Sequence, residues 1–168
     1  MDRQQSDLEE LAARVGALLL TNGQRLATAE SCTGGWVGEC LTAIAGSSAW
    51  FDRGYITYSN QAKVDLLGVE PATLAAHGAV SEATAAAMAS GAQRASRADW
   101  ALAITGVAGP GGGSPARPVG TVCFAWAGPD DVLACETQQF TGDRRAIRAQ
   151  SVAHALFGLL SRATQLSA

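Results

Sequence analysis

The sequence predicts an α/β domain built in three layers, helices–sheet–helices, around a mixed sheet. Three observations predict it. Helix-like and strand-like apolar periods alternate early in the chain, the order that builds parallel strands joined by crossover helices. A strongly apolar stretch, residues 99–105 (DWALAIT), reads as a strand central to the sheet. Two later strand-like runs stand only four residues apart, which requires an antiparallel pair and makes the sheet mixed. With 168 residues, 48% of them apolar, and neither repeat nor linker, the chain is read as one domain, 1–168.

The elements follow in order. Ser6-Asp7-Leu8-Glu9 has the form of a capping box, and Leu8, Leu11, Val15 and Leu18 follow at helical spacing. A first helix is therefore predicted over 7–21, ended by Asn22-Gly23. Residues 25–29 (RLATA) form a short strand, and a turn at 30–33 leads into a helix from about Gly34, with Trp36, Val37, Cys40, Leu41 and Ile44 on its apolar face. A second strand is predicted over 53–58 (RGYITY). Ser59 caps a helix running to Leu67, which Gly68 stops, and Pro71 opens a small helix to His77. Ser81-Glu82 starts an alanine-rich helix to Ser96, whose small side chains permit close packing. After the strand at 99–105 comes GVAGPGGGSPARP (106–118), too rich in Gly and Pro for helix or strand. Strands over 119–127 and 132–140 form the hairpin, and Gly142-Asp143 opens a last helix to Arg162.

Composition excludes several function classes. The formal net charge is −3 and basic residues are scattered, so charge gives no support for nucleic-acid binding. No apolar run approaches the ~20 residues needed to span a bilayer. The polar, acidic start MDRQQSDLEE is neither a signal nor a transit peptide, which makes the cytoplasm the expected compartment. Cys32, Cys40, Cys123 and Cys135 include no C-x-x-C pair, and His77 and His154 are far apart, so no metal site is expected.

Three predicted strand ends carry polar groups, where α/β sheets place their ligands. The first offers Glu30, Ser31, Cys32, Thr33 and Gly34; the second Tyr58, Ser59, Asn60 and Lys63; the third Thr105 and the glycine loop with Gly109, Gly111 and Gly112. A serine hydroxyl needs a base to act as a nucleophile, and Lys63 is a candidate. Equally, Ser31 and Thr33 can cap the following helix while Lys63 faces water. The glycine loop reads as an anion site or as a mobile surface loop. Arg144, in the first turn of the last helix, suits a phosphate or plain solvent.

Five segments resemble the family of the C-terminal domain of the competence/damage-inducible protein CinA, whose stand-alone form is a nicotinamide-nucleotide amidase. They are TAESCTGG (28–35), GYITYSNQAKVDLLGV (54–69), GAVSEATAAAMASGA (78–92), ITGVAGPGGGSPARPVGTV (104–122) and TGDRRAIR (141–148), in the family's order. The resemblance implies hydrolysis of the carboxamide of nicotinamide mononucleotide to nicotinate mononucleotide and ammonia, without cofactor or metal, in pyridine-nucleotide recycling. It implies Ser31 as nucleophile, Lys63 as base and Tyr58 as the residue orienting that lysine. It further implies that Thr105 contacts the nucleotide and that Arg144 with the glycine loop holds the phosphate. Amides near Thr33 and Gly34 are expected to hold the oxyanion, and Glu30 to balance the charge of Lys63 or the pyridinium. Cys32 stands beside Ser31 as an alternative nucleophile. A homodimer is implied as well. The rival readings are a non-catalytic nucleotide-binding module linked to competence or DNA damage, and an amidase or esterase for another phosphorylated substrate.

Overall fold

The computed structural model describes residues 3–166. Eleven elements follow the predicted order: α1 (Arg3–Asn22), β1 (Leu26–Glu30), α2 (Trp36–Thr42), β2 (Phe51–Ile56), α3 (Asn60–Leu67), α4 (Pro71–His77), α5 (Glu82–Ser96), β3 (Trp100–Gly106), β4 (Thr121–Ala127), β5 (Leu133–Gln139) and α6 (Arg144–Leu166). The five strands lie in the order β2-β1-β3-β4-β5. β1 pairs in parallel with both β2 and β3, while β4 runs antiparallel to β3 and to β5. The architecture is the predicted layered α/β domain with a mixed sheet.

Side-chain size alternates along the central strands and assigns the layers. On β3 and β4, Trp100, Leu102, Ile104, Val122, Phe124 and Trp126 point to one face, where α1, α2 and α6 cover them. Ala101, Ala103, Cys123, Ala125 and Ala127 point to the other, with Ala27 and Ala29 of β1. That alanine floor lets α5, itself rich in alanine, pack close. α5 in turn carries Gly91 against the end of α3, where an added Cβ would lie 2.0 Å from the Leu67 carbonyl oxygen.

Several predicted caps are present. The Ser59 hydroxyl accepts from the Ala62 amide at 3.0 Å and the Ser81 hydroxyl from the Thr84 amide at 3.1 Å. Gly68 is left-handed at φ 66° and ends α3. In the β4–β5 turn, Asp130 and Asp131 both have positive φ, which suits the right-handed twist of a hairpin.

Four elements have bounds that differ from the sequence expectation by two or more residues at an end where the reason is visible. α1 starts at Arg3, so Ser6 lies inside the helix rather than capping it. Gln5 explains the extension: its side chain accepts from the Trp36 indole at 2.9 Å and donates to Glu39 at 2.7 Å, tying that turn to α2. β2 begins at Phe51 and ends at Ile56, so Tyr58 leaves the sheet before Ser59 caps α3. α2 begins at Trp36, because Gly34 (φ 60°) and Gly35 (φ 99°) are left-handed. α6 continues to Leu166, since Ala163 is buried and keeps the last turn on the core.

This topology locates a site. β1 lies between two parallel neighbours, so the carboxyl ends of β1, β2 and β3 meet at one edge. The connection after β1 passes over one face through α2, and that after β2 passes over the other through α3–α5. Such a reversal leaves a crevice at the strand ends.

Candidate active site

The turn after β1 is organised by Glu30. Its side chain is 1% exposed and accepts four hydrogen bonds. Oε2 takes them from the Thr33 hydroxyl at 2.6 Å and from the amides of Gly35 and Val37 at 3.1 Å, and Oε1 from the Gly38 amide at 3.0 Å. A carboxylate so placed satisfies the free N–H groups of a helix start. Glu30 therefore caps α2, and its lone pairs are taken up by the turn rather than turned to Lys63 or a substrate. Ser31 and Thr33 do not supply the cap. The Gly34 amide is also committed, donating to the Ser31 carbonyl at 3.0 Å. Thus Gly34 is unsuited to the oxyanion role expected of it. Among the described residues, the Cys32 and Thr33 amides donate to no other residue.

Ser31 and Lys63 meet. Lys63 Nζ lies 3.2 Å from Ser31 Oγ and donates to the Thr57 carbonyl at 2.8 Å. Both side chains are buried, the lysine at 1% exposure. α3 aims the lysine inward: Ser59 fixes the helix start and Lys63 follows one turn later. Burial pushes the Lys63 amine down from its ordinary value of 10.5, because the charged form loses solvation. Cys32 is affected in the opposite sense. Burial pushes its thiol up to about 12, with the carboxylate of Glu30 adding to the shift, which leaves almost no thiolate near neutrality.

Around this pair lies a pocket of about 190 Å³, lined by Ser31, Cys32, Tyr58, Asn60, Lys63, Ala79, Val80, Thr105, Gly106, Ala108 and Arg144. Arg144 stands at its rim, held by the Gly109 carbonyl at 2.7 Å and the Tyr58 hydroxyl at 3.1 Å. Asp143 caps α6 beneath it, accepting from the Ala146 amide at 2.8 Å. Tyr58 is 62% exposed and its hydroxyl pairs with Arg144, not with Lys63. The Thr105 hydroxyl donates to the Ala79 carbonyl at 2.8 Å, fixing the opposite wall. Gly109 is buried and supplies the acceptor for Arg144, whereas Gly111 and Gly112 are exposed and lie outside the pocket lining. The sequence set thus converges around one pocket except for Gly109, Gly111 and Gly112 in the loop, Glu30, and Thr33 and Gly34 on the far side of the turn.

A family model for the CinA C-terminal domain matches residues 8–163. The chain belongs to the CinA C-terminal domain family. Among the curated relatives, the nicotinamide-nucleotide amidohydrolase PncC of Escherichia coli K12 is 53% identical over 151 residues, covering 90% of this chain and 92% of that protein. The protein of the same name from Pseudomonas putida is 51% identical over 155 residues, covering 92% and 96%. A solved structure of the competence/damage inducible protein CihA from Agrobacterium tumefaciens superposes with a TM-score of 0.90 at 47% identity, covering 92% of this chain and 94% of that one. Among the described residues, no helix is long and apolar enough to cross a membrane.

Within this CinA-type site, sequence reasoning places Asn60 at a strand end without giving it a role, and misses Arg148. Asn60 lines the pocket from the first turn of α3. Arg148 lies behind the turn, donating from Nε to the Cys32 carbonyl and from Nη2 to the Thr33 carbonyl, both at 3.0 Å. A signal for Arg148 existed. It follows Arg144 by four residues, which puts both on one side of a helix.

Proposed function

We propose that this chain hydrolyses the carboxamide of nicotinamide mononucleotide, giving nicotinate mononucleotide and ammonia, with Ser31 as nucleophile and Lys63 as base. One observation carries the mechanism: a buried amine, depressed by burial, stands 3.2 Å from a serine hydroxyl at the strand-end crevice. The names of the relatives carry the substrate.

In this reading Ser31 Oγ bonds to the amide carbon while its proton passes to Lys63 Nζ. The tetrahedral oxyanion takes hydrogen bonds from the Cys32 and Thr33 amides, a type of contact whose loss costs ~3 kcal/mol. The intermediate collapses, the C–N bond breaks, and Lys63 returns the proton so that ammonia leaves. Water then attacks the resulting ester, again with Lys63 as base, and the acid is released with Ser31 restored. A neutral amine is needed at the first step, which is why burial of Lys63 matters. Cys32 is disfavoured as the nucleophile, since its thiol is held protonated and the lysine amine hydrogen-bonds to Ser31 instead.

The pocket is smaller than the ~300–1,000 Å³ usual for ligand sites. It therefore receives the pyridine amide and leaves the phosphate at the rim. There Arg144 meets it at the start of α6, where anions are favoured, with the exposed Gly111 and Gly112 just beyond Gly109, whose carbonyl holds the arginine. Tyr58 sets the Arg144 guanidinium, and Thr105 holds the wall against which the nucleotide lies. Cytoplasmic location, homodimeric assembly and a role in pyridine-nucleotide recycling belong to the same reading.

The test is ammonia release from nicotinamide mononucleotide by the purified chain beside Ser31→Ala. Loss of release in the variant is expected. Full release from Ser31→Ala removes serine from the mechanism. A folded wild type that binds the nucleotide without releasing ammonia makes the chain a binding module instead.

A further inference from the structure

The turn carrying Ser31 is a partition between two spaces. Ser31 and Cys32 face the pocket. On the opposite side lies an open cleft of about 330 Å³, lined by Gln5, Thr33, Gly34, Trp36 and Arg148 among others. Arg148 reaches the turn from this outer side. Two nitrogens of its planar guanidinium bridge the successive carbonyls of Cys32 and Thr33, each at 3.0 Å, and the group lies 5.4 Å over the Trp36 ring. The Cys32 carbonyl and the Thr33 amide belong to one peptide unit. A cation on that carbonyl draws electrons from the nitrogen and makes the Thr33 N–H a stronger donor. The fork also fixes the spacing of the two carbonyls, a task that the point charge of a lysine does not perform.

We infer that Arg148 is a positioning residue for the reaction: it holds and polarises the Cys32–Thr33 peptide so that Ser31 and the oxyanion donors are aligned, without touching the substrate. Glu30 grips the same turn from its helix side, so residues 31–35 are held between a buried carboxylate and a bridging guanidinium. The inference rests on the amidase reading with Ser31 as nucleophile.

The location supplies a test that a merely structural role would fail. Removing the side chain leaves a slot that opens onto the outer cleft, so free guanidinium ion can enter it. The purified full chain is assayed with nicotinamide mononucleotide as wild type, Arg148→Ala and Arg148→Lys, with and without sub-denaturing guanidinium chloride, and thermal midpoints are recorded alongside. Arg148→Ala is expected to lower kcat by about 100-fold with KM within about twofold, the pattern of a misplaced reacting group. Guanidinium should raise kcat of Arg148→Ala by at least about tenfold and leave the wild type unchanged. Arg148→Lys should lose about tenfold in kcat, and this variant decides the question if Arg148→Ala does not fold. Wild-type kcat in either variant, a loss carried by KM, or a folded Arg148→Ala indifferent to guanidinium would each overturn the inference. A folded wild type that releases no ammonia overturns the amidase reading itself, and this inference with it.

Discussion

Replacing Glu30 with glutamine changes one oxygen to an amino group and tests how the nucleophile turn is held. In the native turn Oε2 accepts three hydrogen bonds and Oε1 one. The three on Oε2 survive in Glu30→Gln only as neutral bonds. Bonds to a charged group contribute ~1.5–3 kcal/mol and neutral ones ~0.5–1.5, so the three together lose about 3 kcal/mol. The Gly38 amide then faces an NH₂ group and loses its acceptor, which costs a further ~1–3 kcal/mol. Relief from burying a charge offsets part of this, leaving a net loss of about 3–4 kcal/mol. For a chain of this length each kcal/mol shifts the midpoint by ~2–4 °C, so the thermal midpoint should fall by roughly 10 °C. Calorimetry with urea titration checks the value, and an unchanged m-value confirms that the native state is still compact. Because the same turn aims Ser31, kcat should fall as well. A midpoint within about 2 °C of wild type would refute the reasoning, since a carboxylate that caps α2 cannot be neutralised at so small a cost.

Further outcomes are expected at three residues, Lys63, Cys32 and Gly158. The pH profile of kcat/KM should rise with pH and level off below the ordinary lysine value of 10.5, because burial pushes Lys63 down and only its neutral form accepts the serine proton. The sign for stability follows: between the folded and unfolded lysine values the unfolded chain binds more protons, so wild type should gain stability relative to Lys63→Met as pH rises through that window, read by urea titration at stepped pH. Cys32→Ala should keep kcat within about threefold of wild type, and native Cys32 should react slowly with iodoacetamide at neutral pH; abolished turnover would return the nucleophile to the thiol. Gly158→Ala should destabilise by about 1–3 kcal/mol by denaturant titration, because the new Cβ would lie 2.2 Å from the Trp126 ring, while an unchanged stability would mean that the indole moves freely.

Much of the fold is local and so was legible. Ser59 and Ser81 cap helices, Gly68 ends one and Asp130-Asp131 turn a hairpin through groups only a few residues apart. The polar strand ends were legible too, since β-period runs terminate at recognisable turns, and Ser31, Tyr58, Lys63, Thr105 and Arg144 do gather at one pocket. The roles of individual groups were not. Glu30 reads as a charge near a lysine, but the path of residues 33–38 wraps amides around it. Tyr58 reads as a partner of Lys63 but pairs with Arg144, 86 residues away. Arg148 contacts Cys32 across 116 residues.

By itself, then, the sequence determined the order of elements, the mixed sheet and the edge at which reactive groups collect, because propensity, capping and apolar period act over a few residues. Only the tertiary structure decided which hydroxyl meets the amine, which carboxylate is consumed as a cap and which arginine braces the turn. Those choices depend on strand register and on helices packed across the sheet, and hydrogen bonds reach only about 3 Å whatever the separation along the chain.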